Sequence, residues 1–131
     1  MKYLFDTSVW LWSLSAPDRI GREGLSVLGR TGEEFYFSAV TSWEIAIKWA
    51  LGKLALPEPP ESYVPKRLAD QPILPIPITV HHTLAVSKLP AYHGDPFDRL
   101  LIAQARAEGM VILTADQTLR RYDVQIVWCG G

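Results

Sequence analysis

Short apolar runs alternate with stretches of helical spacing along the whole chain. Lys2–Phe5 reads as a first strand ending at Asp6, and Glu34–Ser38 as a second. Met110–Leu113 reads as a buried strand and Val124–Trp128 as the last one. In Pro72-Ile73-Leu74-Pro75-Ile76-Pro77 each proline removes a ladder donor, so this run fits only a short edge strand. Helical patterns cover Ser8–Leu14, Gly21–Leu28, Ser42–Leu51, the region of Ser62–Ala69, Thr79–Lys88, Pro96–Glu108 and Gln117–Tyr122. Gly52 stops the helix at Leu51 in a position glycine fills at low cost, and Leu56-Pro57-Glu58-Pro59-Pro60 is a stiff connector. The alternation predicts an α/β fold with a mainly parallel central sheet of about five short strands flanked by helices. No repeat, low-complexity tract or long linker interrupts it, so residues 1–131 are expected to form one domain.

Composition narrows the class. A chain of 131 residues, 48% hydrophobic and 21% charged, can bury a core and is not a disordered segment. No apolar run approaches the roughly 20 residues that span a bilayer, and Lys2-Tyr3-Leu4-Phe5-Asp6 begins without a signal-peptide pattern. Cys129, the single cysteine, excludes an internal disulfide and lies where the C-terminus is expected to fray. A cytoplasmic protein without membrane attachment is the expectation. The net charge of −1 argues against a nucleic-acid surface, although divalent ions held by carboxylates would invert the sign locally.

Four carboxylates carry the chemistry. Asp6 follows the first strand, where ligands bind in open parallel sheets, and would equally cap the helix near Ser8. Glu44 in Thr41-Ser42-Trp43-Glu44 spells a capping box and precedes Lys48 by one turn, so a structural role competes with a catalytic one. In Asp95-Pro96-Phe97-Asp98 the cap belongs to Asp95, with proline at the first helical position. Asp98 then shares a face with Leu101, Ile102 and Ala105, a costly place for a carboxylate unless an ion or hydrogen bonds compensate it. Arg99 and Arg106 mark a different, solvated stripe. Asp116 follows a buried strand and would also cap the helix after it, with Thr114 placed to cap or orient it. In a parallel sheet Asp6 and Asp116 lie at strand ends and Glu44 and Asp98 in first helical turns, so all four meet at one edge. Oxygen donors in that number suit Mg²⁺ or Mn²⁺, and phosphodiester hydrolysis is the chemistry such ions support.

The segments Leu4-Phe5-Asp6-Thr7-Ser8-Val9-Trp10-Leu11-Trp12, Ser38-Ala39-Val40-Thr41-Ser42-Trp43-Glu44-Ile45-Ala46-Ile47-Lys48, His93-Gly94-Asp95-Pro96-Phe97-Asp98-Arg99-Leu100-Leu101-Ile102-Ala103-Gln104-Ala105 and Leu113-Thr114-Ala115-Asp116 resemble, in order, the PIN-domain ribonucleases of the VapC toxin type. The resemblance implies helices around a parallel sheet, and Mg²⁺ or Mn²⁺ held by Asp6, Glu44, Asp98 and Asp116. It also implies an RNA substrate, a homodimer, and a VapB-type antitoxin protein that lies across the toxin and places a basic side chain in the acidic pocket. Ser8 and Gly94 depart from the family pattern, standing where histidine and a basic residue are common.

Around the four ligands, Asp95 is a capping or supporting residue, and Thr7 and Ser8 offer hydroxyls to a metal-bound water or a substrate phosphate. His81 and His82 read as structural or surface residues, and His93 lies close enough to Asp95 to matter but, as a loop histidine without a partner, is not counted among the site residues. Trp43, Ile45, Ile47 and Trp49 cover more than one helical face, which suits a protein partner. Arg99, Arg106, Arg120, Arg121, Lys48 and Lys53 are the available phosphate contacts. The expected function is a metal-dependent endoribonuclease acting as the toxin of a toxin–antitoxin pair. The alternatives are a DNA-directed or structure-specific nuclease with the same site, and a non-catalytic protein-binding module.

Overall fold

Side chains alternate across the first strand, β1 (Lys2–Phe5), and so divide the interior in two. Tyr3 and Phe5 join one core with Val9, Trp10, Phe37, Ile45 and Leu113. Leu4 joins the other with Val40, Leu101, Ile102, Ile112 and Leu119. In the computed structural model, which describes residues 1–131, β1 is the middle strand of five. The others are β2 (Glu34–Ser38), β3 (Ile73–Ile76), β4 (Val111–Thr114) and β5 (Ile126–Trp128). All neighbours are parallel and the order is β3-β2-β1-β4-β5. The proline-containing β3 takes an edge, as its missing donors require.

Six helices connect and cover the strands: α1 (Thr7–Ser15), α2 (Arg22–Leu28), α3 (Ala39–Ala50), α4 (Pro60–Ala69), α5 (Val80–Ala85) and α6 (Pro96–Glu108). The α6 boundaries follow its chemistry. Asp95 caps its start with Pro96 next, and Gly109 ends it in the left-handed conformation at φ 67°. No helix is long and apolar enough to cross a membrane.

Several sequence expectations change. Helix α3 begins at Ala39, not Ser42, because the Ser38 hydroxyl accepts the Val40 N–H and takes the cap that Thr41 was expected to hold. The Thr79–Lys88 helix stays α-helical only to Ala85 and tightens into a 3₁₀ turn over Val86–Lys88. The Gln117 segment is a 3₁₀ turn over Gln117–Arg121, and β5 begins at Ile126. The segment at Cys129 is not frayed. Its N–H donates to the Thr114 carbonyl at 2.7 Å, its carbonyl accepts from Gly21 N–H at 2.9 Å, and its side chain is fully buried.

Cys129 packs against α2 at Gly24, where an added Cβ would lie 2.6 Å from Cys129 Sγ and 2.9 Å from Ile20 Cγ2. Alanine ordinarily favours a helix interior over glycine by about 1 kcal/mol. Here the collision with two buried side chains dominates, so Gly24→Ala is expected to lower stability by about 1–3 kcal/mol in urea unfolding. A gain in stability would contradict this packing.

Candidate active site

The strand order reverses direction between β1 and β4, and in open parallel sheets the crevice outside such a pair is where ligands bind. Asp6 and Asp116 follow those two strands. Together with Ser8, Trp12, Glu44, Lys48, Asp95, Asp98, Ala115 and Gln117 they line a cavity of about 470 Å³. Two larger cavities, about 600 and 550 Å³, are lined mainly by apolar groups, and none of the four carboxylates borders either.

Asp6 is placed by both strands. Its N–H donates to the Leu113 carbonyl at 2.9 Å, which joins it to the end of β4. Its Oδ1 accepts from Thr7 N–H at 2.8 Å and its Oδ2 from the Thr114 hydroxyl at 2.8 Å. The Thr114 oxygen in turn accepts the Asp116 N–H at 3.0 Å, so one hydroxyl sets the spacing of two carboxylates. Asp116 caps the turn after it through Thr118 N–H at 2.9 Å.

Glu44 lies in the second turn of α3, not the first, because the helix starts at Ser38's cap. The expected capping box is therefore absent. Glu44 Oε1 accepts from the Thr7 hydroxyl at 2.6 Å, and Oε2 is ion-paired with Lys48 one turn on. Thr7 is spent on that bond, with the Thr41 hydroxyl 3.2 Å away, instead of facing a substrate. Ser8 is exposed at the cavity wall.

Asp98 occupies the third position of α6 and is buried, as its helical face predicts. Asp95 Oδ1 caps both Phe97 N–H at 2.9 Å and Asp98 N–H at 3.0 Å while also bordering the cavity. Sequence reasoning set His93 aside for want of a partner, but its Nε2 lies 3.2 Å from Asp98 Oδ2 and its Nδ1 lies 2.6 Å from the Tyr122 hydroxyl. The His-x-Asp-x-x-Asp spacing was its only signal, since Tyr122 is remote in sequence. Arg99 is not on a solvated stripe. It donates to the Pro90 carbonyl at 2.7 Å and to Tyr122 Oη at 3.1 Å, which removes it from the free phosphate contacts. His82 is structural, as expected: it closes a capping box with Thr79 and pairs with Glu108.

The electrostatics follow from crowding. Burial raises Asp98 to about 8, with Asp6, Asp95, Asp116 and Glu44 adding to the shift. Burial also raises Asp6 to about 6, where the Thr114 hydrogen bond opposes it and Glu44 and Asp116 reinforce it. The hydrogen bond to Glu44 holds the Lys48 ammonium above its ordinary value. No three of these side chains stand as a ready-made cage for one ion. A small hard cation does not require one, because Mg²⁺ typically takes one or two carboxylates and keeps several waters. All-oxygen donors and uncompensated like charge in one cavity fit such an ion.

A family model described as PIN domain matches residues 3–125. Ribonuclease VapC16 of Mycobacterium tuberculosis is 48% identical over 46 residues, 35% of this chain and 33% of that protein, so the match spans a third of the relative's length. Among solved structures, VapBC2 from Rickettsia felis, bound to a DNA fragment from their promoter, aligns with TM-score 0.74 at 15% identity, covering 98% of this chain and 99% of that one. VapBC-1 from nontypeable Haemophilus influenzae aligns with TM-score 0.66 at 17% identity, covering 98% of each. These structural likenesses show a shared fold.

Because Asp6 and Asp98 lie above the usual carboxylate range, the folded chain retains protons that the unfolded chain has lost between about pH 4 and about pH 8. This contribution to stability is greatest at the acid end of that window and declines as pH rises. Thermal scans of metal-free protein are expected to show a Tm that falls from about pH 5 to about pH 8.5, with Asp98→Asn flattening the upper part. A Tm that climbs across this interval would contradict the assignment.

Proposed function

The chain belongs to the PIN domain family, and on that premise we propose that it is a Mg²⁺- or Mn²⁺-dependent endoribonuclease. The observation that carries the proposal is the meeting of Asp6, Glu44, Asp98 and Asp116, from four separate segments, around one cavity at the β1–β4 switch point. The name of the Mycobacterium tuberculosis relative, a ribonuclease, supports the choice of RNA.

A divalent cation supplies Lewis-acid polarisation of a phosphoryl oxygen and an activated water when bound. Asp6, Glu44, Asp98 and Asp116 are the residues that would hold it. Thr114 and the Thr7 N–H keep Asp6 in one orientation, and the Thr7 hydroxyl does the same for Glu44. Lys48, ion-paired with Glu44, is the one basic side chain lining the cavity and would offer an ammonium to a substrate phosphate there. The exposed Ser8 hydroxyl is a neutral phosphate contact at the same wall. Positive charge for RNA therefore comes from the ion and from Lys48 more than from the net charge of −1.

The same reading makes the chain the toxin of a toxin–antitoxin pair with a VapB-type antitoxin, supported by its likeness to the two VapBC structures. Exposed Trp43 and Trp49 on α3, at 47% and 39%, support a protein partner or a second copy on that helix.

Asp98→Asn keeps the helix cap on Asp95 and replaces a carboxyl that is largely protonated near neutral pH with a neutral amide of the same shape, so the variant is expected to fold. Its Mg²⁺-dependent cleavage of single-stranded RNA should fall by about 10²-fold or more. Undiminished cleavage would overturn the proposal. Equal cleavage of a matched DNA strand by the wild type would replace RNA with nucleic acid in general.

A further inference from the structure

We propose that Arg99, Tyr122 and His93 form a one-way hydrogen-bond chain that fixes the His93 tautomer and holds Asp98, making His93 a positioning residue for the cavity. The inference rests on the reading of that cavity as a nuclease ion site.

The direction of the chain follows from what each group can do. A guanidinium only donates, so Tyr122 Oη accepts from Arg99 Nη1 at 3.1 Å. The phenol proton is then free to donate, and the nearest acceptor is His93 Nδ1 at 2.6 Å. A nitrogen that accepts carries no proton. The imidazole proton therefore sits on Nε2, which donates to Asp98 Oδ2 at 3.2 Å. In this arrangement three links run from a permanently charged donor to Asp98 Oδ2, each group accepting from one neighbour and donating to the next, and when Asp98 is protonated its own proton lies on Oδ1.

The chain is mechanically anchored as well. Arg99 also donates to the carbonyls of Pro90 at 2.7 Å and Leu89 at 3.4 Å, which pins the loop carrying His93 against α6. Tyr122 is 4% exposed and meets Tyr92 edge-on at 5.0 Å. It also closes the 3₁₀ turn that Asp116 opens, so the segments bearing Asp98 and Asp116 are tied through one phenol. A histidine that only filled space would not need a carboxylate at one nitrogen and a phenol at the other. With Oδ2 held, Asp98 presents a fixed carboxylate in place of a rotating one, which is how outer partners sharpen metal sites.

Long-range ¹⁵N–¹H NMR of the metal-free wild type reads the tautomer directly, with His93→Gln identifying the His93 signals among the three histidines. The expected result is a proton on Nε2 and none on Nδ1. Tyr122→Phe keeps the buried ring but removes the donor, and is expected to mix the tautomers and weaken Mn²⁺ binding about 10-fold, measured by EPR of free Mn²⁺. His93→Gln retains an N–H donor and should bind Mn²⁺ more tightly than His93→Ala. A proton on Nδ1 in the wild type overturns the proposal, as does unchanged Mn²⁺ affinity in Tyr122→Phe together with equal affinities of the two His93 variants. A wild type that binds no Mn²⁺ overturns the nuclease reading itself, which separates the two failures.

Discussion

Carboxylates brought together out of water repel one another and lose hydration, and the arrangement at the ends of β1 and β4 is built to contain that repulsion. Asp6 is nearly inaccessible, yet it receives a backbone N–H and a hydroxyl. Glu44 receives a hydroxyl and a lysine, and Asp98 an imidazole. Asp95 and Asp116 direct their oxygens at helix or turn N–H groups. Each partner offsets part of the charge without cancelling it, and the residue of repulsion appears as the raised Asp6 and Asp98 values. An exposed cluster would not show this, because water would screen it.

The same frustration links fold to function. Two packed faces of a parallel sheet give the rigid support against which unfavourable groups can be held. The order β3-β2-β1-β4-β5 puts the two central strand ends side by side, and no loop rearrangement is needed to bring Asp6 near Asp116. Thr114, the last residue of β4, bridges them with a single oxygen. The site is therefore a property of the sheet's middle, where displacement is most strongly resisted.

Much of this was legible in the residues. The strand end at Phe5 followed from a short apolar run and the edge position of β3 from its prolines, whereas the strand expected over Met110–Leu113 lies one residue later, over Val111–Thr114. The Asp98 position followed from its sharing a face with Leu101, Ile102 and Ala105. Glu44 was misread locally because Thr-x-x-Glu matches a capping box, whereas Ser38 starts the helix three residues earlier and frees Thr41. His93 and Arg99 were undervalued for a different reason. Their shared partner, Tyr122, lies 29 and 23 residues away, and no helical or strand periodicity relates them. Capping and face arguments read neighbours in sequence, while support around a site is assembled from contacts that only the fold creates.

In the metal-free chain, protons on Asp98 and Asp6 relieve part of the repulsion, and under the proposed function a divalent cation would take their place. Calorimetric titration of Mn²⁺ into the metal-free protein near pH 7, in two buffers of different ionisation enthalpy, counts the protons displaced. Binding is expected with release of about one proton, chiefly from the Asp98 carboxyl. Binding with no proton release, or no binding, would contradict it.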